Sequence, residues 1–97
     1  MSFNDAYKKK IEGQIDQARG KINELKGKAK EAQADSDLKV EYEKMIKELE
    51  TRKDLAEEKL DKLKDKGEKS WDDIKESLDK ASDDLKETIN NSISRFK

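Results

Sequence analysis

Apolar residues in the first third of the chain recur in alternating steps of four and three residues. This spacing places them along one side of an α-helix and is the heptad pattern of helices that pack against each other. The series consists of Ile11, Ile15, Ala18, Ile22, Leu25, Ala29 and Ala32. We therefore predict a long first helix with one packing face.

Glycines recur every seven residues on the opposite face of this helix, at Gly13, Gly20 and Gly27. Each costs about 1 kcal/mol of helix stability relative to alanine. Three interpretations are open. The glycines form a tolerated outer face, they provide a smooth second face for close approach of another helix, or they belong to a helix that forms only when it has a partner.

A second apolar series follows a break at residues 34–37, where Asp35 or Ser36 can cap a new helix. Arg52 occupies a position of the seam, so the heptad is interrupted there and then resumes, a stutter that unwinds a coiled coil locally. Glu43–Lys47 and Glu48–Arg52 have the spacing of ion pairs along the outer faces of this helix. The apolar members are Leu38, Tyr42, Met45, Leu49, Ala56, Leu60 and Leu63.

The third apolar series has an average spacing close to 3.6 residues, which is typical of an amphipathic helix rather than a strict supercoil. Ser70 precedes it and, with Asp73, fits a capping box in which aspartate replaces the usual glutamate. The members are Trp71, Ile74, Leu78, Ala81, Leu85, Ile89, Ile93 and Phe96.

These series predict an all-α fold, an antiparallel helical coiled coil in a single domain over residues 1–97. One alternative is a three-helix up-down-up bundle with helices near 4–33, 36–65 and 70–96. The other is a helical hairpin in which the last two helices are continuous, because the apolar stripe runs straight through Gly67. That continuous helix would be a rod of about 60 residues, roughly 90 Å long.

Composition supports long helices and argues against a large core. Charged residues make up 48% of the chain and hydrophobic residues 31%, and proline is absent. The first third is net basic and the rest is net acidic, as antiparallel self-packing would favour. The net charge of −1 does not steer the chain towards nucleic acid. The start of the chain has no apolar run and no stretch is long enough to span a membrane, from which we expect a cytoplasmic protein without a signal peptide.

The residues needed for most catalytic and metal sites are missing. The chain has no cysteine and no histidine, which removes thiol chemistry, histidine-activated serines and the Glu-x-x-His pairs of di-iron bundles. Residues 61–67 lack the ligand pattern of a calcium loop. The run Lys8–Lys10 is too short to indicate nucleic acid binding. We expect no enzyme activity, no cofactor, no metal and no small-molecule substrate.

Two stretches carry resemblances to known families. Residues 30–97 resemble short bacterial coiled-coil proteins grouped with the stress response. The resemblance is carried by Glu41–Glu43, the Ile46–Leu49 step, Arg52, the Trp71-x-x-Ile-Lys run and Ser94–Phe96. Their molecular activity is not established. The segment IEGQIDQARGKINELKGKAKE resembles the CsbD-like general-stress proteins. The resemblances imply a role in stress response and bring no catalytic residue.

We therefore expect a non-enzymatic structural or interaction protein that self-associates, with a dimer favoured because a thin bundle buries little surface. Pairing is expected to cover the remaining faces of Ile46, Leu55 and Leu60. The alternatives are a conditionally ordered stress protectant and a peripheral membrane protein, although the polar face of the third helix is acidic whereas interfacial helices are usually basic. The helix-packing or self-association residues are Ile11, Ile15, Ile22, Leu25, Tyr42, Met45, Leu49, Leu60, Leu63, Trp71, Ile74, Leu78, Leu85, Ile89 and Phe96.

Overall fold

Three long helices make up the fold. The computed structural model describes the backbone of residues 3–66 and 71–95 and the side chains of residues 5–63 and 72–95. Helix α1 spans Phe3–Glu31, α2 spans Ser36–Lys66 and α3 spans Trp71–Arg95. No strand occurs within these described ranges, and the prediction of an all-α fold is confirmed.

The turn between α1 and α2 shows why the first break falls where it does. The amide of Asp35 donates to the carbonyl of Ala32 at 2.9 Å, which closes the turn. The side chain of Asp35 then accepts a hydrogen bond from the amide of Leu38 at 3.1 Å. This bond satisfies one of the free amides at the start of α2. Of the two candidate caps, Asp35 is therefore the one that caps the helix, and Ser36 is the first helical residue.

The directions of the helices follow from their polar contacts. Moving seven residues forward along α1, from Arg19 to Lys26, moves the ion-pair partner seven residues back along α2, from Glu57 to Glu50. The two helices are therefore antiparallel.

The same argument places α3. Arg52 and Lys59 of α2 contact Asp84 and Ser77 of α3 respectively, again in opposite order. Helix α3 therefore runs antiparallel to α2 and parallel to α1, which gives the up-down-up bundle.

The rod alternative does not describe this fold. Helix α3 packs back against α2, and the principal extents of the molecule are 53, 21 and 19 Å. A continuous helix of about 60 residues would reach roughly 90 Å. The chain therefore reverses direction between α2 and α3, a segment that includes Gly67 and Ser70, which lie outside the described residues.

The core runs the length of the bundle and is built from the three predicted apolar series. Side chains of Leu25, Leu49, Leu78 and Leu85 are fully buried, one or two from each helix. Each helix also contributes a buried alanine to the core, at Ala18, Ala56 and Ala81. Burial of this seam is the main favourable term for the fold, because each fully buried aliphatic side chain contributes about 1.5–3 kcal/mol.

Candidate interaction surface

The predicted packing residues converge on one core. Those with buried side chains are Ile11, Ile15, Ile22, Leu25, Met45, Leu49, Leu60, Leu63, Leu78, Leu85 and Ile89. Tyr42 and Ile74 are half-buried and pack against that core. The side chains of Trp71 and Phe96 lie outside the described residues, so their predicted packing roles stay predictions.

One expectation about these residues is wrong. We predicted that Leu60 keeps a face free for pairing with a second chain, yet its side chain is 3% exposed inside the bundle. It belongs to the buried core that the three helices share. Ile46 is half-buried at the edge of the core, and Leu55 is 37% exposed on the outer side of α2 together with Val40.

Charged residues line the edge of the α1–α2 seam and fix its register. The guanidinium of Arg19 lies 2.7 Å from Oε1 of Glu57, and Nζ of Lys26 lies 3.3 Å from Oε1 of Glu50. Basic residues are on α1 and acidic residues on α2 in both pairs, as the charge distribution of the sequence favoured. A shift of α1 by one helical turn would separate both pairs.

The seam arginine of α2 has a specific partner in α3. The guanidinium of Arg52 lies 3.1 Å from Oδ2 of Asp84, and both side chains are partly buried between the helices. The interruption of the heptad therefore places a cation beside the acidic face of α3. The predicted Glu48–Arg52 pair is not formed, because Arg52 points to α3 instead. The predicted Glu43–Lys47 pair is also not formed, and Glu43 lies 3.9 Å from Lys39.

A group of polar side chains, which we call the α1–α3 clasp, joins the two parallel helices. It consists of Tyr7, Gln14, Lys75, Asp79 and Ser82. The Tyr7 hydroxyl donates to Asp79, and the Ser82 hydroxyl donates to the side-chain carbonyl of Gln14. Nζ of Lys75 lies 3.0 Å from Oδ2 of Asp79 and 5.3 Å from the centroid of the Tyr7 ring.

The clasp changes the protonation equilibria of two of its members. The hydrogen bond from Tyr7 holds the pKa of Asp79 below its ordinary value, and Lys75 adds to the effect. Burial raises the pKa of Tyr7 well above its ordinary value of 10.0, and the bond to Asp79 raises it further. Tyr7 stays neutral and Asp79 stays ionised at neutral pH, which keeps the hydrogen bond charge-assisted.

The clasp lies in a groove of about 570 Å³ between α1 and α3. Perturbed ionisable groups in a groove are one sign of an active site, but structural ion pairs perturb pKa values in the same way. In this groove each perturbed group is engaged with another side chain of the clasp. We interpret the clasp as the contact that closes α1 onto α3.

Sequence reasoning missed the clasp and three buried hydroxyls of α3. Ser82, Thr88 and Ser92 are all buried, and Ser92 is fully so. Thr88 and Ser92 donate to carbonyls one turn earlier, on Asp84 and Ile89, which satisfies their hydroxyls inside the helix. A search of the sequence for the apolar period alone passes over these positions, because a hydroxyl is not counted as a core residue.

The sequence contains only a weak signal that Tyr7 packs against the bundle. Tyr7 lies four residues before Ile11, so it extends the seam by one turn towards the start of α1. Its partner Asp79 lies among many acidic residues of α3, and no spacing distinguishes it from them. The contact depends on how far α3 is rotated, which the apolar series of one helix does not specify.

The heptad glycines lie on the outside of the bundle. Gly13, Gly20 and Gly27 are exposed, and a side-chain carbon built at each would meet no atom within 4 Å. None has a backbone conformation that favours glycine. Within the chain, the face is therefore an outer face, and no neighbouring helix approaches it in the part that the structure describes.

The described residues offer neither a cluster of metal ligands nor a membrane-spanning helix. No group of three or more acidic or other ligand side chains that could hold a metal ion occurs within the described ranges. Among the described residues, none of the helices is apolar enough over a sufficient length to cross a membrane. The apolar face of α3, which motivated the membrane alternative, is buried in the core at Leu78, Leu85 and Ile89.

Comparison with known proteins adds no relative. No protein-family model, no curated protein sequence and no solved structure matches this chain. The resemblance to stress-response proteins stays a prediction, and functional inference rests on the geometry of the bundle.

Proposed function

We propose that this chain is a non-enzymatic helix-packing protein that acts in the cytoplasm by self-association as part of a stress response. The observation that supports this proposal is the seam of α1 on α2. Its apolar series is continuous, and its flanking pairs Arg19–Glu57 and Lys26–Glu50 select one antiparallel register. A seam of this kind recognises another helix. A second copy of the chain carries the same packing faces of α1 and α2.

The chemistry of the described surface supports an interaction role. Several of its ionisable groups form ion pairs between helices, such as Arg19–Glu57 and Arg52–Asp84, or along one helix. Such pairs contribute modestly to stability while specifying partner and register. Large aliphatic side chains are exposed at Val40, Leu55 and Ile93. These three give a second chain further apolar area to cover.

We expect the protein to form a dimer at micromolar concentration. Sedimentation equilibrium at several concentrations measures the mass, and far-UV circular dichroism of the same samples measures the helix content. Self-association predicts a mass that rises with concentration towards twice the mass of the 11.2 kDa chain. A fully helical monomer at every concentration would contradict the proposal.

The clasp leads to a pH-dependent prediction. Because the pKa of Asp79 is lowered in the folded state, its contribution to stability is present above its ordinary pKa of 3.8 and is lost as the pH falls through the lower, folded-state value. Tyr7→Phe removes the hydroxyl that donates to Asp79. We expect this variant to melt at a lower temperature than the wild type at neutral pH, with a difference that narrows in acid.

Thermal denaturation followed by circular dichroism at a series of pH values checks this prediction. Ser82→Ala is the matched control, because it removes the other hydroxyl donor of the clasp, whose acceptor Gln14 carries no ionisable group. Its effect on the melting temperature should not vary with pH in the acid range. If the melting temperatures of the two variants depend on pH in the same way, the Tyr7 hydroxyl does not lower the pKa of Asp79.

A further inference from the structure

Helix α1 covers a groove between α2 and α3. The apolar side chains beneath it come from both helices of the hairpin, including Leu49, Leu60, Leu78 and Leu85. At its edge, Glu50 and Glu57 present carboxylates towards α1. A helix that occupies this groove must carry apolar residues at heptad spacing and basic residues at matching positions. The α1 helix of a second copy meets this requirement with the same side chains.

The connection between α1 and α2 permits such an exchange. It is a turn over residues 32–35 and contains neither glycine nor proline. Ala32, Gln33 and Ala34 are good helix formers, so the same residues can continue a helix as well as turn. Two hydrogen bonds hold the turn: the Asp35 amide donates to the carbonyl of Ala32, and the Leu38 amide donates to the side chain of Asp35. If these two bonds open, α1 and α2 can form one continuous helix.

Glycine weakens helix α1. Three of the four glycines of the chain lie in it, and neither α2 nor α3 contains one. Each glycine lowers the helix-forming equilibrium about fivefold relative to alanine. No contact requires these glycines, since the space around each is open. The side of α1 that faces α3 is joined through the polar contacts of the clasp.

We propose that the chain self-associates by exchange of α1, so that α1 of one copy fills the α2–α3 groove of the other. The inference rests on the self-association proposed above and specifies its mode. Each exchanged helix remakes the same seam, including Arg19 against Glu57 of the other copy. Domain exchange of this kind gives dimers at low cost because the contacts already exist in the monomer. The turn at residues 32–35 acts as the hinge.

Crosslinking between two different variants tests the proposal. The chain has no cysteine, so Arg19→Cys and Glu57→Cys each introduce a single thiol. The two variants are unfolded together, refolded together and treated with a short thiol-to-thiol crosslinker. Arg19 and Glu57 are in contact across the seam, so exchange brings a thiol of one chain beside a thiol of the other. We expect a covalent heterodimer, in proportion to the dimer measured by sedimentation.

Glu43→Cys mixed with Arg19→Cys is the matched control. Glu43 is an exposed glutamate of the same helix, fourteen residues from Glu57 and therefore about 21 Å along the axis. This pair should give at least tenfold less heterodimer. If sedimentation shows dimers but the two mixtures crosslink equally, the exchange is refuted while self-association stands. If sedimentation shows a monomer at every concentration, both proposals are refuted.

A second variant tests the hinge without altering any contact of the seam. Replacing Gln33 and Ala34 by glycine leaves the turn free to form but disfavours the continuous helix at two positions in each of the two chains. We expect the dimer dissociation constant to rise by roughly a hundredfold or more, with the helicity of the monomer retained. Ser36→Gly places glycine at the first residue of α2, where the effect should be several-fold smaller. A dissociation constant that stays unchanged in the double glycine variant would overturn the hinge.

Discussion

Replacing Leu49 with alanine is expected to lower the free energy of unfolding by about 2–5 kcal/mol. Leu49 has no exposed surface and lies in the core shared by the three helices. The loss combines the transfer free energy of the deleted atoms with the cavity that they leave. Urea denaturation followed by circular dichroism measures it. A domain of this size has a total stability of roughly 5–15 kcal/mol, so the variant should be severely destabilised.

Leu55→Ala is the control for this prediction. It makes the same chemical change in the same helix, but Leu55 is 37% exposed and does not belong to the buried core. We expect a loss of less than about 1 kcal/mol. Equal effects of the two substitutions would mean that the bundle is loosely packed, as in the conditionally ordered alternative. A clear difference would show a core that distinguishes inner from outer positions.

The apolar periods predicted the three helices because the core of a bundle is built from one repeating face on each helix. The observed bounds of α1, Phe3–Glu31, and of α2, Ser36–Lys66, fall close to the predicted 4–33 and 36–65. Ala29 and Ala32 illustrate the point, since both lie at heptad positions and both are buried. The apolar spacing of a single helix depends only on residues that are close in the sequence, so it can be read without knowing the fold.

The choice between bundle and rod was open at the sequence level for a physical reason. The apolar stripe passes through Gly67 without a change of period, and a continuous stripe is compatible with a continuous helix or with two packed ones. Arg52 was the informative residue. At a seam position it needs an anion, and Asp84 supplies one only if α3 folds back against α2. The apolar series of α2 shows that an arginine occupies the seam, but it does not identify the acidic residue that pairs with it.

The contacts between α1 and α3 were beyond prediction because they depend on the relative rotation of two helices. Gln14 and Ser82 are polar residues that could equally face solvent, and they meet at the edge of the core. Ser92 is fully buried although serine is mostly an exposed residue. Its hydroxyl bonds to the carbonyl of Ile89, so no partner helix is needed to satisfy it. Such local satisfaction leaves no spacing in the sequence from which burial could be inferred.

Replacing Gly13, Gly20 and Gly27 together by alanine is expected to raise the free energy of unfolding by about 2–3 kcal/mol. Alanine fits at each position, because the added carbon would meet no atom within 4 Å and the backbone conformation is helical. The gain comes mainly from the smaller conformational entropy of the unfolded chain. For a domain of this length it corresponds to a rise in melting temperature of roughly 10–20 °C. The three sites lie seven residues apart, about 10 Å along the helix, so the single effects should add.

Asn23→Ala provides the comparison, since Asn23 is exposed on the same helix. Its replacement should raise the free energy of unfolding by less than about 0.7 kcal/mol.

The same triple variant also bears on the exchange of α1. Alanine stabilises α1 equally in the closed and exchanged forms, so the dimer dissociation constant should stay nearly constant. Conversion between the two forms passes through a released α1, and its rate should fall if that helix is unfolded during exchange. A triple variant no more stable than the wild type would show that the glycines make contacts that compensate their cost, and that they do not weaken α1.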